Sequence, residues 1–419
     1  MPANIVALDL SALTVDRQVD ELKRQYLSLR GKDAEIRARV GALPVRQYVS
    51  LLERGYRVRL ARDGDGYLLK LWPDGSTPRS GLQGAHSIAC HSDGRVYTNT
   101  TDNRVVVIDG STRKVKKHIA VGAEPSHLEL SHDGQRLYVA NSGSDNVTII
   151  DTASDRVIAT APTGKRPLLP CVAADGALVY LPSGPDRSVT VLGATGEFKK
   201  TVPVGLAPHD VAVSPDSRWA YQPNSASHSV TVIDGRDFSV AAEVKVGIGP
   251  GHIVFDAESR FAYVANTLSD DVTVIRTQDH QAVATIAAGA GAHLPALSPD
   301  GRHGYVANFA ADSLTVWDCR TYQAVATIPV GIYPHFFAPS PDGKWLVVSH
   351  TGEASICIVD AHEHEPRARL SVGGAPAHIG FSPDGALAFV GCESTDQVAV
   401  VDLRRQVVIE RVRAGTALL

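Results

Sequence analysis

His209-Asp210-Val211-Ala212-Val213, the turn Ser214-Pro215-Asp216, then Trp219-Ala220-Tyr221, Ser229-Val230-Thr231-Val232-Ile233-Asp234 and a last strand ending at Val246-Gly247 make up one unit of about 42 residues. Each apolar run is short and is bounded by Gly, Pro, Asp or Ser, so the unit reads as four strands. The same unit recurs eight times between Gly81 and Gly415. Its turn acids, Asp93, Asp133, Asp175, Asp216, Glu258, Asp300, Asp342 and Asp384, fall at intervals of 40, 42, 41, 42, 42, 42 and 42 residues. A fixed period of this length with four strands per unit predicts an eight-bladed β-propeller. In such a wheel one repeat position from every blade converges on the axis. A site is therefore sought in the columns of the repeat.

The eight units leave about 80 of the 419 residues for a small N-terminal domain, giving expected boundaries of 1–75 and 76–419. A net charge of −4 provides no global field for nucleic acid or an anionic membrane. No run of 18 apolar residues is present, so no membrane span is expected. The start, MPANIVALDL, lacks the basic and apolar regions of a leader, which reads as cytoplasmic, or as periplasmic if an export signal has been trimmed. Expected partners are a small-molecule substrate or another protein. Cys90, Cys171, Cys319, Cys357 and Cys392 show no CxxC spacing and read as small buried hydrophobes in a reducing compartment, with Cys392 kept as a site candidate. The single methionine is the first residue, so thioether ligation of copper is excluded.

Residues 4–73 alternate strand and helix patterns: Ile5–Leu8, a helix from Val15 to Leu29, Ala34–Val40, a helix opened by Pro44, and a hairpin of Tyr56–Ala61 with Tyr67–Trp72. This βαβαββ order resembles the small sulfur-carrier-like fold, in the variant found as an accessory domain in proteins of nitrogen-oxide metabolism. Carriers of that fold use a Cys-Pro after the first strand. Here the matching stretch is Ala12-Leu13-Thr14-Val15, so the resemblance implies docking or regulation rather than persulfide transfer.

Tyr138-Val139-Ala140-Asn141, Tyr263-Val264-Ala265-Asn266 and Tyr305-Val306-Ala307-Asn308 recur at the end of the second strand. They resemble the YVTN-type β-propeller repeat, and the match runs through all eight units. Eight blades make the architecture similar to the haem-d1 domain of the nitrite-reductase cytochromes. Ring closure is expected either by packing alone or with an edge strand from the segment Tyr67–Trp72.

Seven units carry a histidine at the entry to the first strand, in two columns. Seven residues before the turn acid lie His86, His209, His293 and His335; six before it lie His127, His252 and His378; the third unit has Leu168 and Leu169. The resemblance implies that the first column holds backbone-bonding residues, since the YVTN-type repeat often carries Pro-His-Gly there. The second column departs from that repeat. Its three histidines each follow Pro-x and come from blades two, five and eight, close to trigonal around the wheel. Three converging imidazoles suit a metal centre with an open position. His127, His252 and His378 are therefore the expected ligands. Asp210 is a fourth ligand or an orienting carboxylate, and His86, His209, His293, His335, His350 and Cys392 are further candidates. His91, His118, His132, His228, His280, His303, His362 and His364 read as solvated.

Three functions follow from this pattern. The first is a redox protein carrying copper, iron, zinc or a haem-type tetrapyrrole at a histidine-lined channel entrance. The second is a non-catalytic interaction scaffold. The third is a metal-independent lyase or lactonase acting in the channel.

Overall fold

A computed structural model describes residues 4–9, 34–40, 56–63, 66–73 and 84–415. The chain divides into two units, Met1–Gly81 and Leu82–Leu419. In the first, Asn4–Asp9 runs parallel to Ala34–Val40, which pairs antiparallel with Gly66–Pro73, itself paired with Tyr56–Asp63. The expected helices lie outside the described residues, and with them the test of a sulfur-carrier-like fold.

The second unit contains eight four-stranded sheets, each a simple antiparallel meander. The blades span 88–120, 125–162, 171–203, 212–245, 250–287, 292–329, 334–371 and 376–413. Burial grades across each blade. In blade 4 the third strand, Ser229–Asp234, is buried throughout, while the last, Val240–Lys245, is mostly exposed. The turn after the first strand is fixed by its acid: Asp216 Oδ1 accepts from Ser214 Oγ at 2.6 Å and from the Arg218 amide at 3.1 Å. The same Ser–Asp bond recurs at 131–133, 298–300, 340–342 and 382–384, which is why the acid marks the phase. Tyrosines of the second strand latch three blades to the next: the Tyr97 hydroxyl reaches Asp155 Oδ1 at 2.8 Å, Tyr138 donates to the Ala194 carbonyl at 2.8 Å, and Tyr221 meets His280 Nδ1 at 2.7 Å. His280 also packs on Trp219, so it is a blade-to-blade contact and not the solvated residue expected from sequence.

First strands of consecutive blades touch all the way round, including the eighth against the first. They form the hub. Closure needs no shared strand, because each blade draws its four strands from one repeat and Gly66–Pro73 pairs inside the N-terminal sheet. Blade 8 instead packs on blade 1 through Phe389, Val398 and Val400 against Ile88, Val96 and Ile108. Arg113 and Glu410 join the two blades at 2.6 Å. Among the described residues no helix is long and apolar enough to cross a membrane.

Candidate metal centre at the hub

In several blades the histidine-bearing first strand opens on a bulge, while His86 and His209 stand just before theirs begin. In blade 5 the register with the second strand passes from Pro250–Asn266 directly to Ile253–Val264, and in blade 8 from Pro376–Cys392 to Ile379–Val390. The two positions between are released from strict alternation, so residues expected on opposite faces both turn inward.

His86, His127 and His378 come together, with one ligand nitrogen from each within 4.8 Å of the others. Their ring centroids stand 4.9, 5.0 and 5.2 Å apart. The Nε2 atoms of His86 and His127 are 3.3 Å apart. Two nitrogens bound to one tetrahedral zinc, each about 2.0–2.1 Å from it, stand about 3.3 Å from one another. The Nδ1 atoms of His86 and His127 are buried without a hydrogen bond, and His86 Nδ1 lies 3.6 Å from Glu393 Oε2, the place of a carboxylate that orients a ligating imidazole. These residues fit a small transition-metal ion.

Of the expected trio, the structure brings His127 and His378 together. His86 joins the cluster and His252 does not. Blades 8, 1 and 2 are neighbours, whereas blade 5 stands across the eight-membered hub, and the group within 4.8 Å does not include His252.

Local packing sets the three rings. The His378 amide donates to the His86 carbonyl at 3.2 Å, across the seam where the ring closes. Phe336 stacks on the His378 ring at 4.4 Å and 15°. Asn99 ties blade 1 to blade 2: its Oδ1 accepts from the Ser87 amide at 2.9 Å and its Nδ2 donates to the Pro125 carbonyl at 2.8 Å. Ser87 Oγ in turn accepts from the Leu128 amide at 3.2 Å, next to His127.

Burial, then the neighbouring imidazoles, holds His127 and His378 well below the ordinary histidine range. Both are neutral near pH 7, as metal ligation requires. The remaining hub histidines continue the belt: His209 lies 5.1 Å from His252, His252 4.7 Å from His293, and His293 5.3 Å from His335. His209 and His335 are lowered to about 4, chiefly by burial. The titratable neighbours that act on His209, His293 and His378 are imidazoles and Asp210, with no lysine or arginine among them. A channel mouth of this composition favours a cation.

Two candidates fall outside the site. His350 is fully buried, takes the Gly331 amide on Nε2 at 3.0 Å and meets Ser355 Oγ through Nδ1 at 3.0 Å. It caps a connection, as Asn308 does in blade 6 by accepting the Gly289 amide. Cys392 lies in the core between blades 7 and 8, its thiol raised to about 12 by burial. The end of the second strand is a structural column, so neither substitution there points to chemistry.

One hub residue escaped the sequence reading. Glu129 follows His127 by two residues, on the same face, in a column otherwise made of Ala89, Cys171, Ala212, Val254, Ala296, Ala338 and Gly380. Although Glu129 is exposed to the channel, enclosure by the surrounding walls, and then Asp210, raises its carboxyl to about 7. The signal was a lone carboxylate in a column of small apolar and thiol side chains, four places before the turn acid.

A family model described as "Lactonase, 7-bladed beta-propeller" matches residues 108–365 and 331–414, together well over half of the chain. The two matches overlap, as expected when a seven-blade pattern meets eight blades. No curated protein matches the sequence. Among solved structures, the dihydro-heme d1 dehydrogenase NirN in complex with DHE is 18% identical, with a TM-score of 0.67 over 78% of this chain and 74% of that one. Hydrazine synthase of Kuenenia stuttgartiensis is 18% identical, with a TM-score of 0.54 over 79% and 99%. A functionally unknown protein from Desulfotomaculum acetoxidans DSM 771 is 15% identical, with a TM-score of 0.55 over 64% and 92%. At these identities the likeness is one of fold.

Proposed function

From a chain that belongs to the lactonase, 7-bladed β-propeller family, we propose a metal-dependent propeller, of oxidoreductase type, that holds a transition-metal ion at the mouth of its central channel through His86, His127 and His378. The observation that carries this is the convergence of three imidazoles from three neighbouring blades within 4.8 Å. Membership speaks for fold and repeat, and the residues at the hub decide the chemistry. Bound there, iron or copper would supply one-electron chemistry and zinc a Lewis acid. The chain's own residues do the rest: Glu393 places a carboxylate 3.6 Å from His86 Nδ1, Asn99 sets the spacing of His86 and His127, and Phe336 fixes the plane of His378. The carboxylates of Glu393 and Asp210 beside the imidazoles support a cation over an anionic macrocycle. A haem-type iron is the second reading, prompted by the DHE complex of the NirN structure.

Reconstitution of the untagged full chain with Zn2+, Fe2+, Cu2+ or haem, followed by metal analysis and an absorption spectrum, tests the proposal. About one metal per chain and no macrocycle absorption is expected for a three-histidine centre. A haem-type spectrum selects the second reading. Metal below about 0.2 per chain with no absorption removes both and leaves the interaction scaffold.

A further inference from the structure

The wall opposite the cluster carries a second arrangement of different chemistry. His252 Nδ1 lies 2.9 Å from Asp210 Oδ2. Asp210 Oδ1 accepts the Val211 amide at 2.8 Å, and its backbone carbonyl accepts Gln222 Nε2 at 2.7 Å, so the carboxylate cannot swing away without loss. The His252 ring is wedged edge-on between His209 and His293, at 78° and 88°. With Nδ1–H directed at a carboxylate the tautomer is set, and the lone pair lies on Nε2. Among the described residues nothing bonds to that nitrogen, although the ring is 11% exposed and faces the hub.

Position adds to the chemistry. The cluster is centred on blade 1, between blades 8 and 2, and blade 5 is the diametrically opposite blade of an eight-membered ring. His127 and His378 lie within electrostatic reach of His252 across that space. A small molecule held at the cluster therefore has an oriented imidazole on its far side.

We propose that His252, oriented by Asp210, is the acid–base residue of the channel mouth, acting on a protic small molecule bound between it and the three-imidazole cluster. The proton leaves a substrate O–H or N–H for Nε2, and the bonding pair stays on the substrate atom. Asp210 keeps its hydrogen bond to Nδ1 and stabilises the imidazolium, which returns the same proton to the product. The dyad stands on its own geometry. Only the identity of what sits opposite rests on the metal-centre proposal.

Diethyl pyrocarbonate, which acylates free imidazole nitrogens, separates these roles when labelling of the full chain is mapped by mass spectrometry with and without saturating Zn2+. The carboxylate should make His252 the fastest-labelled hub histidine, and Asp210→Asn, which keeps the shape, should slow it about tenfold while circular dichroism is unchanged. Zinc should protect His86, His127 and His378 and leave His252 reactive. Protection of His252 alongside the three makes it a ligand and overturns the proposal. So does a rate indifferent to Asp210→Asn, even when zinc protects the cluster. If zinc protects none of the four while Asp210 still governs His252, the dyad stands and the metal centre falls.

Discussion

The amide of His378 donates to the carbonyl of His86 at 3.2 Å, binding the last blade to the first at the point where two of the three clustered imidazoles arise. The candidate centre therefore exists only when the wheel is closed, and anything that bridges the two rings also clamps the seam.

Zn2+ should stabilise the folded chain. At a free concentration of one hundred times its Kd, the gain is about 2.7 kcal/mol. Thermal unfolding with and without the ion reads it. His86→Ala and His378→Ala should abolish the shift, and an equal shift in those variants would place the ion elsewhere.

Asn99 joins Ser87 to Pro125 and so spaces His86 from His127. Asn99→Ala leaves a buried amide and a buried carbonyl without partners, at a cost of about 1–3 kcal/mol. Zinc affinity, measured by competition with a chelator, should fall along with stability. Loss of stability with unchanged affinity would separate the bridge from the site.

Gly304 lies under the indole of Trp317, where an added Cβ would overlap the ring. Gly304→Ala should destabilise blade 6 by about 1–3 kcal/mol through overpacking. Urea unfolding of the single variant and of Gly304→Ala with Trp317→Leu checks the cause, since the smaller partner should restore part of the loss.

His350 is lowered to about 4, mainly by burial, with Glu353 opposing the shift. The unfolded chain, titrating near 6.5, binds its proton more readily than the folded one. Stability from this residue is complete above about 6.5 and is lost as the pH falls toward 4, because protonated Nε2 can no longer accept the Gly331 amide. His350→Asn should flatten unfolding free energy against pH across that window. An unchanged slope would assign the acid sensitivity to the hub histidines.

The wheel was legible because its signals are local and repeated: the turn acid, the buried third strand and, in six blades, the buried tyrosine of the second strand recur at the period. The site was legible only as an inventory. Counting back from the turn acid separated His86 from His127 as though they faced opposite ways, but His86 stands before its strand begins and escapes the alternation that places His127. Trigonal spacing suggested His252, but spacing carries no information on hub width, which decides whether facing rings meet. His350 and Cys392 drew notice as departures from Asn, although the column they occupy is structural. Glu129 was overlooked because a single carboxylate stands out only once its column is known to line the hub.

X-ray absorption at the metal edge of the Zn2+-loaded chain tests the centre most directly. Three imidazole nitrogens at about 2.0–2.1 Å and one further light atom are expected, with the imidazole pattern lost in the His86→Ala, His127→Ala, His378→Ala triple variant. A shell of oxygens alone, or the same spectrum from the triple variant, would contradict ligation by these three histidines.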